Sequence, residues 1–291
     1  MRIILHAGLH FTDEDRLLKS LLRNRERLQP EGTIVPGPSR YRRLLRDTLQ
    51  GMAQGSLTAD ARQILLDAIL DEDPPDRLIL SNDNFFCVPK LAIGDGRFYP
   101  RAETKLAQFC EIFAPDTVEL FIALRNPATL LPALQRGTPP GTVETALAGN
   151  DPMALQWAEM ITRLREAVPG VAITVWCNED TPLIWGQLIR EMAGLDMTDQ
   201  IVGGYDLLSE IMAPAGMKRF RDYLSQHPQL TEIQRRRVIA AFLDKFALDE
   251  EIEEIVDLPG WTDDLVEDLT EVYDEDVFHV SRLPGVTFVA P

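Results

Sequence analysis

The chain has 291 residues, 45% of them hydrophobic, and a net charge of −17. That apolar share sustains one large α/β core, or a core with a smaller helical annex, and its longest apolar runs fall far short of the ~20 residues a membrane-spanning helix needs. The charge argues against nucleic acid and anionic membranes as partners, and the opening Met1-Arg2-Ile3-Ile4-Leu5-His6-Ala7-Gly8 reads as strand and turn instead of a leader, so a cytoplasmic protein is expected.

In chain order, residues 2–7 form the first predicted strand, running into a glycine turn. Residues 13–28 follow as a helix, with Leu17, Leu18, Leu21, Leu22 and Leu28 on one stripe. Residues 33–35 are a short strand; 39–52 and 58–70 are helices, each opened by a Ser or Thr cap. A strand at 77–81, a helix at 102–113, a strand at 118–124, a helix at 151–168 and a strand at 171–177 complete the alternation. Strand–helix alternation means right-handed βαβ units and a parallel sheet of about five strands. Leu78-Ile79-Leu80 and Val171-Ala172-Ile173-Thr174-Val175 are apolar on both faces, as strands buried between helical layers are. From about residue 200 the pattern is almost wholly helical. It holds a helix at 231–246 with a Thr-x-x-Gln capping box and an acidic helix at 261–280, and ends in a possible edge strand at 286–289. The expected organisation is one domain, an α/β core over 1–200 with a helical extension over 201–291 packed on it.

Residues 249–276 carry fourteen acids and no Lys or Arg. They read as a solvated helical face or as a docking face for a basic partner, and Arg235-Arg236-Arg237 is expected to pair with them. The three cysteines, Cys87, Cys110 and Cys177, lie far apart with no CxxC, which fits a reduced compartment and no zinc. His6 and His10 stand four apart but on strand and turn, so no metal site is expected.

Ligands of parallel sheets sit at the carboxyl ends of strands. The first such end reads His6-Ala7-Gly8-Leu9-His10-Phe11-Thr12-Asp13-Glu14-Asp15, the strand–glycine turn–helix layout that presents backbone N–H groups to an anion. This stretch resembles the 5′-phosphosulfate loop of sulfotransferases that use 3′-phosphoadenosine-5′-phosphosulfate (PAPS), in the form H-x-G-x-H-K-T-G-T-T/S. His6, Gly8, His10 and Thr12 stand in matching places. The family's lysine is Phe11, its next glycine is Asp13, and its two hydroxyl positions are Glu14 and Asp15. Phe11 brings no charge and Asp13 restricts the backbone. Thr12 and Asp15 form a capping box on paper, with three acids in the first turn satisfying the helix dipole internally.

The resemblance continues to an alphaproteobacterial sulfotransferase-like group. Leu78-Ile79-Leu80-Ser81-Asn82-Asp83 is similar to the family's strand and "S-S-E" segment. Asp83 would then be the catalytic base, with His10 as a second candidate; an Asx turn is the structural alternative. Val118 to Pro127 is similar to the 3′-phosphate strand ending in "R-N-P". This puts Arg125 and Asn126 with Gly8, His10 and Thr12 in the cofactor site, although the serine expected later is Ala133; a salt bridge or helix cap is the alternative for Arg125. Glu179-Asp180-Thr181-Pro182-Leu183-Ile184-Trp185-Gly186, Pro259-Gly260-Trp261-Thr262 and Pro284-Gly285-Val286-Thr287-Phe288 extend the likeness. The resemblance implies a three-layer P-loop-type α/β fold. The altered loop implies a relative that has lost PAPS-dependent sulfuryl transfer and binds an unknown small molecule or protein. One alternative is an active sulfotransferase with a rebuilt site, in which an arginine near Tyr41 (Arg40, Arg42 or Arg43) replaces the lysine. Another keeps the scaffold but takes a cationic or neutral ligand at the acidic loop.

Overall fold

The computed structural model describes residues 1–52, 55, 58, 60–71, 74–147, 149–252, 254, 256 and 260–291. Its strands are β1 (Arg2–His6), β2 (Thr33–Ile34), β3 (Arg77–Ser81), β4 (Ile93–Gly94), β5 (Arg97–Phe98), β6 (Thr117–Leu124), β7 (Ala172–Cys177) and β8 (Val286–Phe288). The helices are α1 (Arg16–Arg23), α2 (Arg25–Leu28), α3 (Pro38–Met52), α4 (Ala61–Ile69), α5 (Ala102–Ile112), α6 (Pro127–Gly137), α7 (Thr142–Leu147), α8 (Trp157–Ala167), α9 (Thr181–Ala193), α10 (Asp206–Ile211), α11 (Pro214–Gln226), α12 (Glu232–Phe246), α13 (Asp249–Ile252) and α14 (Asp263–Val280).

The protein is α/β, with one six-stranded sheet in the order β2-β3-β1-β6-β7-β8 and every pairing parallel. β8 is the sixth strand and forms one edge beside β7. β4 and β5 make a separate small hairpin that strand-length patterning did not reveal. Both faces of the sheet are covered, which is why the inner strands carry no polar alternation. Ile3, Leu5, Leu78, Leu80 and Leu120 face a large cluster roofed by α3, α4, α5, α6 and α8. Ile4, Ile79, Phe121 and Trp176 face a second cluster with α1 and α9.

This topology marks one place on the sheet. The chain leaves β1 through α1, on one face, while its neighbours β3 and β6 are followed by α5 and α6 on the other. The carboxyl end of β1 is therefore a topological switch point, where a crevice opens between diverging connections.

Several local expectations need correction. The first long helix starts at Arg16, not Asp13, and has no acid in its first turn. Ser39 is the second helical residue of α3, inside a helix begun by Pro38, since a proline costs nothing where the N–H has no partner anyway. Thr58 does not cap α4, which follows Asp60; Ala59, in that forecast, lies outside the described residues, as does Pro259. Thr231 caps α12 in the full capping box, and Thr262, by bonding Leu265 N–H, delays α14 to Asp263. Arg235 pairs with Glu232 on its own helix and Arg236 bonds Gln187 and the Ala290 carbonyl. Among the described residues neither pairs with a 249–276 acid, because nearer acceptors compete.

The C-terminal helices have two roles. Leu208, Met212, Met217, Phe220 and Ile239 of α10–α12, with the residues between them, form a small core of their own. α14 instead packs on α8 and α6. Its Asp276 is buried and accepts from the N–H of Ala158 at 3.1 Å and from that of Trp157, capping α8 from outside. That carboxylate is part of the fold, not of a solvated acidic face. Among the described residues no helix is long and apolar enough to cross a membrane.

Candidate functional site at the carboxyl edge of the sheet

His6 ends β1 fully buried, its Nδ1 2.8 Å from Ser81 Oγ on the adjacent strand. Its ring stacks on Trp176 at 6.1 Å, and its buried Nε2 has no hydrogen-bond partner among the described residues. Burial holds this imidazole below its ordinary 6.5, against the opposing pull of Asp13 and Asp15. Gly8 is where these groups converge: a Cβ there would lie 2.9 Å from Asp13 Oδ1 and 3.2 Å from His6 Cε1. The glycine thus admits the protein's own side chains, the role a phosphate takes in a phosphate loop.

Beyond Gly8 the backbone turns through three left-handed residues, Phe11, Glu14 and Asp15, with φ of 60°, 48° and 65°. These turns hold Thr12 away from the helix start, so its hydroxyl donates to the Leu9 carbonyl at 2.6 Å and the expected Thr12–Asp15 capping box does not form. Asp13 folds back and accepts from Leu17 N–H at 3.0 Å, occupying the helix N-terminus with a carboxylate. Asp15 is held by Arg42, with Nη1–Oδ2 at 3.0 Å. His10 is buried, its backbone N–H and Nδ1 at 3.1 and 3.0 Å from the Tyr99 hydroxyl. Burial lowers its pKa too, against the opposing pull of Asp83.

Phe11 turns toward α6. Its ring covers Gly137, where any Cβ would collide with it, and it packs against the main core cluster. Its carbonyl accepts from Arg125 Nη1. Arg125 also donates through Nε to Thr129 Oγ1 at 3.1 Å and through Nη2 to Glu254. The guanidinium of Arg125, a residue only 7% exposed, thus bridges the switch-point crevice from β6 to the loop after β1. Asn126 caps α6, accepting from Ala128 N–H at 2.9 Å and donating to Thr270 of α14 at 3.0 Å. Glu179 completes the corner, accepting from Asn126 N–H at 2.8 Å and from the Tyr273 hydroxyl at 3.0 Å. Ala133 is buried in α6.

The open space lies one strand over. A cavity of about 1120 Å³ begins at the carboxyl end of β3 and runs between α3 and α5. Its lining includes Asp83 and Tyr99, but no residue from 7 to 15 and not Arg125. Arg42, Arg43, Arg46, Arg101 and Lys105 bring positive charge to it, against Asp83 and Asp95. Asn82, not Asp83, makes the Asx turn there, its Oδ1 accepting from Asn84 N–H at 3.2 Å. Asp83 is exposed and accepts from the Asn84 amide at 2.6 Å. Tyr41 fixes the end of β3 by bonding both the carbonyl and the N–H of Ser81, at 2.7 and 3.0 Å. Cys87 also lines the cavity, but burial pushes its thiol up to about 12 and leaves it unreactive at neutral pH.

The structure therefore separates the sequence-derived candidates. Gly8, His10, Thr12, Arg125 and Asn126 belong to a packed, internally bonded crevice, whereas Asp83 faces the cavity with His10 behind Tyr99. Arg40 pairs with Asp71 at 2.7 Å. Tyr99, Arg46, Arg101 and Lys105 escaped sequence reasoning. One signal was available: Arg101 and Lys105 are cations four apart at a helix start, where the dipole disfavours them. Among the described residues no three His, Cys, Asp or Glu side chains are placed to hold a metal ion.

Fold and site together define a parallel α/β protein with a filled switch-point crevice and an open, cation-lined cavity beside it. No protein-family model matches the chain, and no curated protein matches it.

Proposed function

We propose that the chain is a cytoplasmic binding protein on a sulfotransferase-like frame that has lost PAPS-dependent sulfuryl transfer. The observation that carries this reading is the state of Arg125. A guanidinium that grips a 3′-phosphate must offer free N–H groups. This one is committed to Phe11, Thr129 and Glu254, and the Glu254 carboxylate would repel the arriving phosphate. Asp13 does the same at the α1 N-terminus, so the residues present do not fit a phosphosulfate. All three loop carboxylates have internal partners, Asp13 the Leu17 N–H, Asp15 Arg42 and Glu14 Arg16, which leaves little to draw a cationic ligand there. Titration calorimetry with 3′,5′-adenosine bisphosphate tests the reading: no binding that depends on Arg125 is expected, and a micromolar Kd that is lost in Arg125→Ala overturns it.

One observation favours a second reading, an active transferase with a rebuilt site: Asp83 stands on the wall of a cation-lined cavity within electrostatic reach of His10. Sulfuryl transfer from PAPS to a hydroxyl or amine acceptor would then collapse in both Arg125→Ala and Asp83→Asn. Turnover unchanged in both variants rejects it.

A further inference from the structure

The cavity after β3 has a charge opposite to that of the chain as a whole, which is −17. Arg43 and Arg46 line it from α3, and Arg101 and Lys105 from the start of α5. The α3 pair shares one carboxylate, Asp47, at 3.5 and 3.0 Å. The α5 pair has no carboxylate within ion-pair distance among the described residues; the Lys105 ammonium donates to Gln108 Oε1 at 3.1 Å. Burial, and then the charge of Arg101, lowers the Lys105 pKa; Asp83 and Asp95 line the same cavity, but among the described residues neither forms an ion pair with these two cations. Keeping like charges together at a helix N-terminus is unfavourable unless an anion joins them.

Asp83, Asp95, Gln50, Asn82 and Asn84 add polar groups, and the remainder of the lining is mainly apolar. Phe85 and Phe86 are buried beneath it, while Val88 and Leu91 are 44% and 53% exposed on its wall. A bare inorganic anion would leave this surface wet. The volume, about 1120 Å³, lies just above the ~300–1,000 Å³ range of sites for organic ligands.

We infer that this cavity binds an amphipathic organic anion, its phosphate, sulfate or carboxylate held between the α3 and α5 cations and its apolar or aromatic body laid on Phe85, Phe86 and Leu91. This names a ligand class for the binding role proposed above and rests on that reading. Arginines from two helices flank the acidic group, suiting the planar, forked recognition such groups receive.

The test uses the full chain and 1-naphthyl phosphate as probe, with inorganic phosphate and 1-naphthol as its two halves. Naphthyl phosphate is expected to bind at least roughly tenfold tighter than either half, more weakly as salt rises. The Arg101→Gln/Lys105→Gln double variant and Leu91→Asp should each weaken it by roughly tenfold or more. Leu91 is exposed, so its variant keeps the test alive if the double variant unfolds. No binding, naphthol or phosphate binding as tightly as the probe, or unchanged affinity in the variants overturns the inference. Adenosine bisphosphate titrated in the presence of saturating naphthyl phosphate reports on the crevice separately. Micromolar binding there sinks the closed-crevice reading alone, and failure of the naphthyl probe sinks this inference alone.

Discussion

Phe11→Lys restores the cation that a phosphosulfate loop needs, and the structure says it will fail. A buried aromatic side chain removes ~150–250 Å² from water. Phe11 is partly buried against Gly137 and the main core, so about 100–150 Å² is at stake, or about 3 kcal/mol at ~25 cal/mol per Å². The lysine stem recovers roughly half by lying along the same surface. The left-handed backbone, φ 60°, strains either residue alike and cancels. The net loss is about 1.5 kcal/mol, a fall in Tm of about 2–3 °C for a chain of this size. Binding of 3′,5′-adenosine bisphosphate at the crevice, with the neighbouring cavity saturated by naphthyl phosphate, should stay undetectable, because Arg125 keeps its bonds to the Phe11 position's carbonyl, Thr129 and Glu254. Thermal unfolding and calorimetry on the same sample decide the matter. An unchanged Tm would show that the ring is not a packing element, and micromolar binding would show that the missing charge alone had silenced the crevice.

Asp276→Ala strips the external cap from α8, leaving the buried Trp157 N–H and the half-buried Ala158 N–H without their acceptor; it should cost about 2–3 kcal/mol in urea unfolding, with Asp276→Asn milder, and a loss below ~0.5 kcal/mol would contradict the capping role. The buried His6 and His10 have folded-state pKa values below 6.5, so the unfolded chain takes up protons first as pH falls. Their contribution is complete above pH 6.5 and is lost progressively below it toward the folded values. Tm measured from pH 7.5 to 5.5 should fall through that window, and a drop of the same size in His6→Gln would remove His6 from the account. Glu14→Gly relieves a left-handed residue, φ 48° with an exposed side chain. The relief of ~1 kcal/mol outweighs the added unfolded-state entropy by a few tenths, so Tm should rise slightly, and a fall would mean that the side chain matters.

The sheet was legible because its strands carry their evidence locally. Leu78-Ile79-Leu80 has no polar face in the sequence and is fully buried in the structure. The loop after β1 was misread for the opposite reason. Thr12 and Asp15 match a capping box by spacing, but Asp15 is claimed by Arg42 and Asp13 by Leu17 N–H; two tertiary or turn contacts outweighed one local rule. Arg125 was rightly placed at a strand end, yet the Phe11 carbonyl and Glu254 stand 114 and 129 residues away, a separation no periodicity encodes. The cavity is assembled from α3, the segment after β3 and the first turn of α5, three stretches with no shared pattern.

Helix α14 has a bearing on how the chain reaches this state. Its Asp276 grips Trp157 across 119 residues, its Thr270 meets Asn126 across 144, and its Tyr273 reaches the Leu124 carbonyl across 149. Each tie closes a long loop whose entropy is lost before the contact repays it. The β1–β3 pairing closes a loop of only 75 residues, Arg2 to Arg77, whereas the β6 corner and the first turn of α8 are completed by a segment made far later. Such spans put the final docking of α14 at the slow end of the folding timescale, and until it docks the corner beneath it stays open to water.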